Sequence, residues 1–159
     1  MSVESYFFRY AFPCAHLTLE RGAITQEEYD ELERRFLKDN PPTREELEKT
    51  YSVAFGFLAK LAQKMQKKDK WDPEVIKKYW QGGAHNEVID NGEGYFIDKP
   101  EALKELCRIH IAQITKKQDN LLIVKYGNNK IRVVFNNLIP DADVGDKITI
   151  HYAYAIEKV

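Results

Sequence analysis

Residues 107–159 read CRIHIAQITKKQDNLLIVKYGNNKIRVVFNNLIPDADVGDKITIHYAYAIEKV, and the period of this stretch decides the fold. Apolar and polar residues alternate in four segments: CRIHIAQIT, NLLIVKY, KIRVVF and KITIHYAYAI. Alternation sends successive side chains to opposite faces of a strand, so each segment predicts a β-strand. KKQDN and GNN are the turns between the first three, and residues 137–146 link the third to the last. Four or five short antiparallel strands in about fifty residues predict a small closed barrel, because closure removes exposed strand edges. On this reading Cys107 opens the first strand with the parity of Ile109 and Ile111 and faces the core. His151 opposes Ile148 and Ile150 and faces outward.

Upstream the period is helical. Tyr6, Phe7, Tyr10, Cys14 and Leu17 recur at three- and four-residue steps, interrupted by Pro13, and Gly22 ends the segment. Thr25–Glu28 and Thr43–Glu46 are capping boxes, in which hydroxyl and carboxylate each satisfy a free backbone N–H. The first opens a helix through Leu32 and Phe36, stopped by Asn40-Pro41-Pro42. The second opens one long helix carrying Leu47, Tyr51, Phe55, Leu58, Ala62 and Met65 on a single face. Asp72-Pro73 starts a short helix through Val75, Ile76, Tyr79 and Trp80. Residues 81–99 are rich in Gly, Asn and Asp and read as loop with at most a short strand. Pro100–Leu106 is one further short helix. The expected architecture is α+β: a helical domain over 1–100, then a small antiparallel barrel of the oligonucleotide-binding type over 101–159.

Composition excludes several classes. The net charge is −1, which makes no case for nucleic acid, and no apolar run approaches the length of a membrane span. The N-terminus lacks the basic region of a signal peptide, and two cysteines make no disulfide framework, so a cytoplasmic protein is expected. Residues 20–48 carry ten Asp and Glu against five Lys and Arg, whereas 60–78 carry seven Lys against three acids. These read as solvated helix faces or as a polar partner surface. The aromatic first helix (Tyr6, Phe7, Phe8, Tyr10, Phe12) is apolar enough to suggest a dimer contact.

Soft metal ligands are Cys14, His16, His85, Cys107, His110 and His151, without zinc-finger spacing. Cys14 reads as core, because a free cysteine behaves as a small hydrophobe. His85 and Asn86 sit in the least regular segment, where sites concentrate. A small-molecule site at the junction of helices and barrel, lined by Trp80, His85, Asn86 and Tyr95, is one functional reading. No nucleophile elbow, phosphate loop, dinucleotide fingerprint or zincin motif is present.

The closing segment also carries a resemblance. Pro140, Asp141, Val144, Gly145, Asp146, His151, Ala155 and Ile156 fall in register with a motif of nickel–iron hydrogenase maturation chaperones of the HypC/HupF family, and Leu106-Cys107 takes the place of their Met-Cys start. The resemblance covers the last third of the chain and implies an oligonucleotide-binding-like barrel. It further implies a non-catalytic accessory protein that docks on a metalloenzyme subunit or its precursor, with Cys107 and His151 as partner-binding or iron-binding residues. Cys107 departs from that pattern in lying far from a chain start, and Ile111-Ala112 and Ala153-Tyr154 replace the family's Pro-Gly and Gly-Phe. LERGAITQEEYDELERRFLKDNP resembles the helix-turn-helix of nitrile hydratase β-subunits, which are likewise non-catalytic partners.

Overall fold

The computed structural model describes all of residues 1–159 and divides them into a helical layer and a closed barrel. The layer comprises α1 (Val3–Ala11), α2 (Ala15–Glu20), α3 (Gln26–Leu37), α4 (Arg44–Thr50), α5 (Ser52–Lys64), α6 (Pro73–Trp80), α7 (Ala84–Asp90) and α8 (Glu101–Cys107). Short 3-10 turns stand at Phe12–Cys14 and Gly94–Phe96. The barrel comprises β1 (His110–Gln118), β2 (Leu121–Tyr126), β3 (Lys130–Phe135), β4 (Lys147–His151) and β5 (Tyr154–Lys158), in the order β1-β2-β3-β5-β4.

The local signals mostly act as expected. Both capping boxes form, and Asp72 caps α6 by accepting from the Glu74 amide. Pro13 sits in the 3-10 turn that separates α1 from α2. Three expectations need correction. The long helix after Thr43 is two helices, because Tyr51 leaves helical geometry (φ −107°, ψ 39°) and its ring packs edge-on against Phe7 at 5.7 Å. Residues 81–99 are not simply loop: Gly83, at φ 91°, turns the chain into α7. That helix is too short to stand on propensity and is held by burying Val88 and Ile89. Cys107 ends α8 instead of opening β1. Strand parity therefore does not run back to it, and Ile111 is 63% exposed while Ala112 and Ile114 fill the barrel.

The last alternating segment is two strands, split by a turn in which Tyr152 adopts φ 53°. The barrel closes through one parallel pairing, Phe135 with Tyr154, reinforced by the Phe135 amide donating to the Ala153 carbonyl at 2.9 Å. Ile114, Leu122, Val124, Val134, Ile148 and Ile150 fill its interior. Arg132 is buried with them at one end, donating to the Tyr126 hydroxyl at 2.9 Å and to the Glu105 carbonyl at the end of α8 at 3.3 Å.

Strand β4 is covered on both faces. Ile148 and Ile150 point inward, and Thr149 and His151 lie beneath α1, with exposures of 2% and 0%. His151 is therefore not the outward-facing residue that alternation suggests, because the helical layer supplies a second core on that side. The aromatic residues of α1 account for this core. Phe7, Phe8, Tyr10 and Phe12 are all buried within the chain, so their apolarity is used internally, and Tyr6 is half-buried. The same cluster takes in Ile109, Leu138 and Ile156 from the barrel half of the chain.

Polar contacts knit the two layers. Glu157 on β5 accepts hydrogen bonds from the Tyr6 hydroxyl at 3.0 Å, the Tyr10 hydroxyl and the Gln81 amide. Tyr10 also shares a hydrogen bond with Thr149 at 2.9 Å. Bonds to a charged acceptor are each worth about 1.5–3 kcal/mol. Glu157→Ala is expected to lower unfolding free energy by about 2–4 kcal/mol in urea titration, with the helical content retained at low urea.

Candidate functional site

The helix–barrel junction gathers most of the chemistry-bearing side chains. Cys14 comes from the 3-10 turn after α1, Trp80 from α6, His85 from α7, Cys107 from the end of α8 and His151 from β4. Pro13 shapes the turn that points Cys14 at the barrel. The Cys14 thiol lies 3.0 Å from His151 Nε2, and His151 Nδ1 lies 2.7 Å from the Tyr10 carbonyl. A carbonyl only accepts, so Nδ1 carries the proton and Nε2 accepts from the thiol. The Cys107 thiol stands beside Cys14, and the His85 and His151 rings are 5.3 Å apart.

Burial sets the charge state of the cluster. It pushes the Cys14 thiol well above its ordinary value, and the neighbouring Cys107 thiol adds to the effect. It pulls His151 well below the ordinary histidine range, with the neighbouring His85 acting in the same direction. His85 falls to about 4 for the same reason, against the opposing hydrogen bond to the Cys107 carbonyl. A neutral thiol donating to a neutral imidazole is not the thiolate that a nucleophile needs. No group of three or more His, Cys, Asp or Glu side chains is arranged to hold a metal. The only free imidazole lone pair at His151 already accepts from Cys14, and His85 Nε2 donates to a carbonyl 3.1 Å away. The donor set does not fit the iron that the sequence resemblance implies.

The remaining residues singled out by sequence divide into two groups. His85 and Asn86 tie α7 to the start of the barrel. Asn86 Nδ2 donates to the Ile109 carbonyl and its Oδ1 accepts from the Ile109 amide, both at 2.9 Å. Trp80 and Tyr95 instead line a small cavity, together with Cys14, Tyr51 and His85. His16 stacks on Tyr152 at 4.6 Å, and His110 lies 3.1 Å from a Glu105 carboxylate oxygen. Tyr51 and Tyr10 were not legible as site residues, since both read as ordinary stripe positions on helices.

A second feature lies on the outside of the barrel. Cross-strand pairs Leu121–Phe135 and Ile123–Val133 stand side by side, with Ile131 next in line opposite Lys125. Ile131 is 70% exposed, Val133 53% and Phe135 39%. Lys116, paired with Ile123, and Lys125 stand exposed along this stripe. The sequence signal was present in KIRVVF, whose apolar residues occupy both strand faces. A half-buried strand needs only one apolar face. Comparison of the sequence with models of known protein families and with curated proteins finds no match to the chain. No helix is long and apolar enough to cross a membrane.

The buried histidines make stability depend on pH. In the folded state His85 stays neutral down to about 4, whereas unfolded it takes up a proton near 6.5. The unfolded state thus binds more protons between these values, and stability is lost as pH falls through that window. His85 alone contributes on the order of 3 kcal/mol of this loss. Urea titrations between pH 7 and pH 4 should show it, and His85→Gln should flatten the slope. The wholly buried Cys107 thiol should react with a disulfide reagent only as fast as the protein opens.

Proposed function

We propose that the protein is a non-catalytic accessory protein that docks on a partner protein through the outer β2–β3 face of its barrel. The observation that carries this reading is a contiguous apolar stripe in which Ile131, Val133 and Phe135 are exposed and their cross-strand neighbours Leu121 and Ile123 are half-buried. Single exposed apolar residues are ordinary, but a row of them on one sheet face marks an interaction surface. The flanking Lys116 and Lys125 fit a partner segment that combines apolar side chains with acidic ones. The resemblance of the closing segment to hydrogenase maturation chaperones supports the same role. It names the partner class, a metalloenzyme subunit or its precursor. The docking face rather than the Cys107–His151 pair is the recognition element, since both of those side chains are wholly buried.

The test is anaerobic affinity purification of the tagged protein from its own cells, comparing the wild type with Val133→Glu and Cys107→Ala. The account expects an identified metalloenzyme subunit or precursor to come down with the wild type. Recovery should fall at least about tenfold with Val133→Glu, a charge placed in the centre of the stripe, while stability is unchanged within about 0.5 kcal/mol. Cys107→Ala should retain the partner. Sedimentation that shows a dimer abolished by Val133→Glu would make the stripe a self-association face and overturn the reading. So would partner recovery that depends on Cys107 and not on Val133.

A further inference from the structure

Between α2, α5, α6 and α7 lies a cavity of about 50 Å³ whose wall is largely apolar and holds no Asp, Glu, Lys or Arg side chain. Among the buried side-chain polar atoms that lack a hydrogen-bond partner, three belong to residues lining this cavity: the Tyr51 hydroxyl, Trp80 Nε1 and the Tyr95 hydroxyl. Tyr51 and Trp80 are only 5% and 3% exposed. Folded proteins rarely leave such groups unpaired, and each exception calls for a physical reason. Two other buried aromatic side chains in this chain have their polar groups paired. Trp71 Nε1 donates to Glu48 at 2.6 Å, and the Tyr10 hydroxyl meets Thr149 and Glu157.

We propose that this cavity binds a small neutral molecule bearing a hydrogen-bond acceptor, of the ketone, aldehyde or ether class. The donor set dictates the class. An indole N–H can only donate, and both tyrosine hydroxyls are free to donate, so the occupant must accept. The absence of a charged side chain in the wall makes a charged ligand costly, because nothing there would offset its lost hydration. Aromatic walls from Phe57, Tyr79 and Phe96 favour an apolar remainder. A dry apolar cavity of roughly 150 Å³ accepts benzene, so the smaller space here suits a molecule of a few heavy atoms and excludes sugars and nucleotides. This site is independent of the barrel's outer face.

The test follows the two indole N–H signals in a proton–nitrogen correlation spectrum of the full chain. Trp71→Phe identifies which signal is Trp80. The probes are dimethyl ether and propane, which share a shape, differ in the acceptor and are small enough for the space. The Trp80 signal should move downfield saturably with dimethyl ether, at weak affinity as expected for so few atoms. The alkane should bind at least about fivefold more weakly, and Tyr51→Phe or Tyr95→Phe should each cost the ether about fivefold, the worth of one hydrogen bond. Dispersion of the remaining amide signals checks that each variant is folded. The proposal is overturned if the Trp80 signal does not move up to the solubility limit of the ether. Equal binding of the alkane, or undiminished binding in both phenylalanine variants, overturns it as well, and the three atoms then belong to ordered water.

Discussion

The structure depends on covering the outer face of β4. That strand closes the barrel against β1 and β5, and it carries Thr149 and His151 away from the barrel interior. A small barrel alone would leave these two residues to water. Here α1 lies across them, and its Tyr10 meets both: the hydroxyl bonds Thr149 and the carbonyl accepts from His151. The N-terminal helix is thereby bound to the last two strands of the chain. The aromatic cluster around Phe7 and Trp80 then has a floor on which to pack, including Ile156 from β5. Buried polar contacts are favourable here because each is paired, and an unpaired member would be costly.

The same constraint sets the charge state of the buried cysteines and histidines. Burial keeps both the Cys14 thiol and the His151 imidazole neutral, and the Tyr10 carbonyl fixes the tautomer. His85 and Asn86 are held by the backbone of the α8–β1 connection. What the helical layer does not reach is the opposite side of the barrel, where Ile131, Val133 and Phe135 stay exposed. The protein thus has a closed, neutral seam on one side and an apolar, lysine-flanked face on the other.

Much of the fold was legible because its signals are local. Period-two alternation marked the strands, Asn and Gly residues the turns, and the Thr-x-x-Glu boxes the starts of α3 and α4. The parts that were not legible depend on tertiary contacts. Nothing local breaks the helix at Tyr51; its ring is drawn to Phe7. A Gly- and Asn-rich segment became α7 only because Val88 and Ile89 found a core. Alternation alone turns His151 outward because it assumes one buried face, and β4 has two. Cys14 read correctly as a packed residue, but its partner His151 lies 137 positions away, beyond any sequence window. The stripe on β3 was visible as apolar residues of both parities, yet only exposure shows that one set is left uncovered.

The most direct measurement of this dependence is equilibrium unfolding of the whole chain followed by two probes. Fluorescence of Trp71 and Trp80 reports the helical layer and its seam with β4, since no tryptophan lies in the barrel itself. Backbone amide signals of Val124 on β2 and Val134 on β3 report the barrel. If the cover over β4 holds the molecule together, both probes give one transition with a common midpoint, and weakening the seam at Glu157 moves both together. A barrel that keeps its amide signals after the tryptophans have become exposed would show that it stands without the helices, and would contradict the account.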